Sequence, residues 1–135
     1  HLHNFLFKLL DDEVIIRNQN PIHIDDYSEP EPDLAIVKGP VSAYLKAHPN
    51  PIDTLWVIEV SDSTLNFDRK TKQALYAQAG IQSYWIVNLQ DSQIETFESL
   101  ENDTYTNKAV YTVGMEITMP GVEGIFKVSD FLILE

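Results

Sequence analysis

Asp33, Glu59 and Lys72 are two acids and an amine whose types and placement could do chemistry together. Two carboxylates on neighbouring strands can share one divalent cation, and oxygen ligands suit Mg²⁺ or Mn²⁺. The carbonyl of Val60, next to Glu59, is a natural further ligand. A nearby ammonium can orient a water or help to deprotonate it, and can stabilise negative charge on a phosphate. Each residue also has a plainer reading. An Asp after a proline is usually a turn or cap residue. A Glu at a strand end is often a carboxylate at the sheet rim. Asp68 lies four residues before Lys72, so that lysine could simply form a helix ion pair.

The elements that must position these groups are legible. Leu55 to Val60, LWVIEV, is apolar except for Glu59 and reads as a buried strand. A Glu there is out of place, because Glu is almost never fully buried without compensation. SDST follows as a polar turn able to cap a helix. The spacing predicts a helix over 65–79, with Lys72, Leu75, Tyr76 and Ala79 on one face. Gly80 ends it. SYWIVNL supplies β-branched and aromatic residues for a second strand. Strand, helix and strand in this order normally make a parallel crossover. That puts an acid at a strand end beside a lysine on the crossover helix.

Upstream, 3–10 read as the end of an amphipathic helix. Residues 14–17 and 21–24 are strand-like around the turn-prone NQNP. EPEP excludes helix, since each proline restricts the residue before it, and runs extended into a strand over Leu34 to Val37. Residues 40–48 read as a short helix or turn, and HPNPID as a loop. Downstream, Gln93 to Glu98 and Tyr105 to Val113 read as strands joined by the hairpin-like LENDTY. Gly114 turns the chain, a short strand falls near Ile125 to Val128, and a helix or turn ends the chain.

Length and composition set the bounds. The 135 residues fit one α/β domain over 1–135, and 44% apolar content is ordinary for a globular protein. No apolar run approaches the roughly 18 residues that span a bilayer. The absence of Cys excludes disulfides and thiolate chemistry and fits a cytoplasmic setting. A net charge of −12 argues against nonspecific nucleic-acid binding. The chain opens HLHNF inside an apparent helix, so residues upstream of it are expected. His1, His3, His23 and His48 make no strong metal-ligand spacing. Ser61 and Ser63 lack an obvious base and fit helix capping. HExxH, Walker, GxGxxG and GxSxG motifs are absent from the sequence.

EPEPDLAIV followed by LWVIEVSDSTLNFDRKTKQALYAQAGIQSYWIVNL resembles the PD-(D/E)XK nuclease superfamily, which has the restriction-endonuclease-like fold. It more closely resembles the Uma family of bacterial endonuclease-like proteins, a domain of unknown function. The match covers Pro30 to Leu89 well and the flanks loosely. Its pieces are a proline-aspartate strand, EVS, D-R-x-x-K, a tyrosine, A-G-I and Y-W-x-V.

The resemblance implies a central mixed sheet flanked by helices, with the strands around Glu59 and Trp85 parallel. It implies Asp33 as the PD aspartate and Glu59 as the second acid. Ser61 stands where the motif lysine would be, so the lysine has moved to the next helix as Lys72, with Lys70 as the fallback. Mg²⁺-dependent phosphodiester hydrolysis of DNA, a homodimer and an upstream acidic helix are further implications. Asn88 replaces an Asp common in relatives and reads as a surface change. The expected function is therefore a metal-dependent endonuclease. The rivals are a catalytically inactive binding or assembly module of the same fold and a metal hydrolase acting on a small phosphate. The charge of −12 favours the inactive module, whereas the cluster Arg69, Lys70 and Lys72 favours the nuclease.

Overall fold

The structure is a computed structural model that describes residues 2, 5–6, 14–18, 22–24, 30–38, 48–120 and 122–132. Six strands form one mixed sheet in sequential order: β1 (Val14–Asn18), β2 (Leu34–Lys38), β3 (Thr54–Ser61), β4 (Tyr84–Asn88), β5 (Gln93–Glu101) and β6 (Thr104–Thr112). Among the described residues only the β3–β4 pairing is parallel, with Ile58 opposite Trp85 and Ser61 opposite Asn88. The others are antiparallel. A separate pair, β7 (Glu116–Met119) and β8 (Val122–Lys127), is antiparallel and leads into the short helix Val128–Phe131.

The connection from β3 to β4 is helical but not uniformly α. An α-helical start, Leu65–Phe67, passes into a π turn, Asp68–Lys72, and then into an α-helix, Gln73–Ala79. Gly80 closes it in the left-handed region, φ 89°, and its N–H bonds back to the carbonyl of Ala77. The sequence pattern does not reveal the π turn, because one wider turn leaves the residue types unchanged.

Strand alternation divides the core. Leu34, Ile36, Trp56, Ile58, Trp85, Val87 and Ile94 pack on one face with Leu6, Val128 and Phe131. Ala35, Val37, Val57, Tyr84, Ile86 and Phe97 pack on the other face with Tyr76, Ala77 and Ile81 from the crossover. Burial on both faces explains the nearly unbroken apolar runs of β3 and β4. Trp56 and Trp85 meet edge to face at 4.5 Å. Glu59 has the same parity as Val57 and points into the crossover-covered face.

Several expectations need adjustment. The strand over Glu116–Met119 was not foreseen, and the strand expected at 125–128 ends at Lys127, with Val128 already helical. Residues 22–24 are not strand, although Ile22 is buried. The helix or turn expected at 40–48 falls almost wholly outside the described residues, as does most of the helix expected at 3–10. The LENDTY hairpin is present, with Asn102 and Asp103 at φ 51° and 60° between paired Glu101 and Thr104. Positive φ at both loop residues matches a type I′ turn, whose twist suits a two-residue hairpin.

Candidate active site

The acids meet where β2 begins and β3 ends. Ladder pairing of β2 starts at Leu34, opposite Ile58, which leaves the N–H of Asp33 outside the ladder. That N–H donates to Glu59 Oε1 at 2.8 Å. In return, the N–H of Val60 donates to Asp33 Oδ2 at 2.7 Å. Each carboxylate is thus held by backbone beside the other acid, and the two strand ends are knotted together.

The crossover supplies the cation. Lys72 Nζ donates to Glu59 Oε2 at 2.6 Å. Tyr76, one helical turn on, donates its hydroxyl to the same oxygen at 3.2 Å. The structure therefore brings Asp33, Glu59, Val60 and Lys72 together. Lys70, the fallback, is exposed. Tyr76 was expected beside the stem of Lys72, but its contact with the acid was not. Its place four residues after Lys72 on the same face was the available signal.

Burial sets the electrostatics. Glu59 is 2% exposed. Burial pushes its pKa above the usual carboxylate range, although the hydrogen bonds from Lys72 and Asp33 and the Lys72 charge pull the other way. Burial also disfavours the charge on Lys72, but the hydrogen bond to Glu59 and the charges of Glu59, Asp68 and Asp33 outweigh it, and its pKa rises. The lysine is the more exposed partner, at 24%, so its charge costs less than the acid's. Burial and the neighbouring Glu59 charge raise the Tyr76 pKa as well, so Tyr76 stays a neutral donor.

Asp68 makes the expected helix ion pair with Lys72 and does more besides. It is buried, and its Oδ2 accepts from Thr64 Oγ1 at 2.9 Å and from Ser61 Oγ in a short contact. Its Oδ1 lies 3.8 Å from Lys72 Nζ. Thr64 therefore anchors the turn through a side-chain carboxylate and makes no side-chain cap bond to the helix backbone. The carbonyl of Asp68 also accepts the Tyr84 hydroxyl at 3.1 Å, which ties the π turn to β4.

A second polar cluster was not foreseen. Arg69 in the π turn reaches Glu95 on β5 through Nε and Nη2, at 2.7 and 2.6 Å. Asn88 is fully buried, not a surface change. Its Nδ2 donates to Glu95 at 2.8 Å and to Asp91 at 3.0 Å. The residue is the last of β4, where a buried amide can satisfy two acids at once. Arg69 is also taken out of the expected free basic cluster.

His23 and His48 are among the described residues, and His1 and His3 are not. Among the described residues no group of three or more His, Cys, Asp or Glu side chains converges as a metal site. None of the helices described is long and apolar enough to cross a membrane.

A mixed sheet with a parallel pair, an acid at the start of one strand, an acid at the end of the next and a lysine on the crossover make up an α/β domain with a polar centre at two strand ends. The chain belongs to the Uma2 family, described as a putative restriction endonuclease, whose model matches residues 1–129. A solved structure described as a putative nuclease belonging to DUF820, from Anabaena variabilis ATCC 29413, is similar in fold. Its TM-score is 0.65 at 14% identity, over 97% of this chain and 74% of that one. No curated protein matches this chain.

Proposed function

We propose that this chain is a metal-dependent nuclease that hydrolyses phosphodiester bonds of DNA. The observation that carries the reading is the buried Glu59, held between the backbone of Asp33 and the ammonium of Lys72. Burying an acid and an amine together costs several kcal/mol per ion before they pair, and a hydrophobic pair of similar volume often does as well. Retaining them at a strand end points to a use beyond stability.

The donor set fits a hard cation such as Mg²⁺ or Mn²⁺. All three candidate ligands, Asp33, Glu59 and the Val60 carbonyl, offer oxygen. A carboxylate has about four lone-pair sites. Glu59 accepts three hydrogen bonds, from Asp33 N at Oε1 and from Lys72 and Tyr76 at Oε2, which leaves a site over on Oε1. The N–H of Val60 faces Asp33, and in an extended strand the carbonyl of the same residue faces the same edge. When bound, such a cation would polarise the phosphoryl oxygen and lower the pKa of a bound water.

The chain's own residues supply the rest. Asp33 and Glu59 provide fixed negative charge whose positions the reciprocal backbone bonds hold. Lys72, with its pKa raised, stays protonated at neutral pH and acts as a charge and a donor rather than as a base. It balances Glu59 and can turn a proton toward a phosphate oxygen. Tyr76 remains a neutral hydroxyl and fixes the Glu59 rotamer.

One observation favours the second reading, a nuclease-fold module without catalysis. Lys72 and Tyr76 already fill Glu59 Oε2, so a cation would find a single open position on that carboxylate, at Oε1, in a chain that carries −12 overall. The deciding experiment is cleavage of plasmid and single-stranded DNA with Mg²⁺ or Mn²⁺, beside Glu59→Ala. Cleavage by wild type and none by Glu59→Ala supports the nuclease. Equal cleavage by both means contamination and gives the lead to the inactive module.

A further inference from the structure

We propose that Phe67 is a stacking platform for an unpaired nucleobase, held beside the acid–lysine site by the π turn. This rests on the nuclease reading and names the form of nucleic acid the site takes, a single strand or a locally unpaired one.

Phe67 is 52% exposed. Among the described residues it is the one phenylalanine with an exposed ring, and both tryptophans are buried. Its location gives that exposure meaning. Lys72 Nζ lies 5.8 Å from the centre of the Phe67 ring and 2.6 Å from Glu59 Oε2. One ammonium therefore touches both the ring and the acid, and a base on the ring would bring its phosphate near the site.

The π turn causes this juxtaposition. In a regular α-helix, residues five apart are separated by about 140° around the axis, at 100° per residue. Phe67 and Lys72 would then face different ways. Hydrogen bonding from i to i+5 widens the turn to about 4.4 residues and closes the angle between residues five apart to roughly 50°. The backbone N–H of Gln73 bonds to the carbonyl of Asp68, the i to i+5 pattern, and Asp68–Lys72 is the π segment. Tyr84 and the Ser61–Thr64–Asp68 cluster pin this turn from below. A widened turn that is pinned on its buried side, with a half-exposed aromatic ring at its N-cap, is built to present that ring.

Charge gives the second reason. Phosphate contacts supply most nonspecific affinity for nucleic acid, and they come from Lys and Arg. This chain has nine such residues against 21 acids. Near the site Arg69 is engaged by Glu95 and Lys72 by Glu59, while Lys70 is exposed. Stacking needs no cation and tolerates every base, because each has a π-face. A paired base in a duplex keeps its faces covered, so the platform selects unpaired nucleotides.

The test is fluorescence anisotropy with labelled oligothymidylate and with the same backbone carrying abasic sites, in EDTA at low salt. Wild type should bind the base-bearing strand roughly tenfold more tightly than the abasic one. Phe67→Ala should lose that preference, and Phe67→Trp should keep it. The new tryptophan, exposed where Trp56 and Trp85 are buried, should be quenched by oligothymidylate and not by the abasic strand. Circular dichroism checks that each variant is folded. No preference in wild type, an unchanged preference in Phe67→Ala, or tighter binding to duplex would overturn the proposal. The nuclease reading fails separately. Stacking without any Glu59-dependent cleavage retires catalysis and leaves the platform. Glu59-dependent cleavage with the base preference intact in Phe67→Ala retires the platform alone.

Discussion

Arg69 and Glu95, 26 residues apart, meet in a two-pronged ion pair that bolts the π turn to β5. Lys72 of the same turn binds Glu59 on β3. The turn is thus fastened at two points across the sheet, with β4 between them. Fork geometry fixes direction as well as distance, which a single contact does not.

That pair predicts an acid-sensitive component of stability. Burial works against the Glu95 charge, but the bonds from Arg69, Asn88 and Gln93 prevail and its pKa is lowered. A lowered carboxylate contributes stability above its unfolded value, near 4.5, and loses it as pH falls through the folded value. Glu95→Gln should cost roughly 1 kcal/mol at pH 7, a modest figure because Arg69 is 38% exposed and solvent screens the pair. The gap to wild type should close below pH 4.5. Urea titrations at several pH values check it, and a gap that does not change with pH would contradict the assignment.

Lys72→Met should also show a deficit that grows with pH, although the acid it leaves behind has a raised rather than a lowered pKa. Glu59 has a raised pKa, so its contribution is complete below about 4.5 and declines as pH rises through the folded value. Removing the lysine raises that pKa further. The variant should lose roughly 2–4 kcal/mol near neutral pH, toward the low end because the lysine is partly exposed. The deficit should widen with pH. Adding Glu59→Gln should recover part of it, and thermal melts of the single and double variants measure this.

Tyr76→Phe should destabilise by about 1 kcal/mol, because it removes one of the donors on a buried acid. If the nuclease reading holds, its cleavage should decline less than that of Lys72→Met, since Tyr76 only holds the Glu59 rotamer. A side-by-side single-turnover assay with Mn²⁺ decides between the two ranks.

Cleavage of duplex DNA should be weak and only shallowly dependent on salt. With Arg69 engaged, one or two phosphate contacts from Lys70 and Lys72 give a slope of roughly −1 to −2 in log affinity against log salt. A slope near that of a dedicated DNA binder would show a basic surface elsewhere. Affinity measured across a salt series is the readout.

Asp103→Gly should raise the melting temperature slightly. Asp103 sits at φ 60° in the tight β5–β6 turn, where Asp is tolerated and Gly is favoured. A gain of about 0.5 kcal/mol is expected, and a loss would argue against the type I′ assignment.

Much of this protein follows from local rules. Alternating and unbroken apolar runs placed β2 to β6, because strand periodicity and burial on two faces are written in residue types. A charged residue inside such a run marked Glu59, and the shared helical face marked Lys72 with Tyr76. The pairing of Asp33 with Glu59 needed the resemblance as well, since two acids 26 residues apart carry no spacing signal.

The tertiary structure alone decided how the polar groups are shared. The π turn leaves no trace in composition, because it changes how the backbone is bonded and not which residues are present. Yet it sets the Phe67 ring over Lys72. Asn88 looked like an exposed replacement and is buried, because the partners that satisfy it, Asp91 and Glu95, arrive only when β5 folds back on β4. Arg69 looked like part of a free basic strip and is bound to Glu95 for the same reason. A sequence states which groups can pair. Which pairs form depends on which strands lie side by side, and that is a property of the whole sheet.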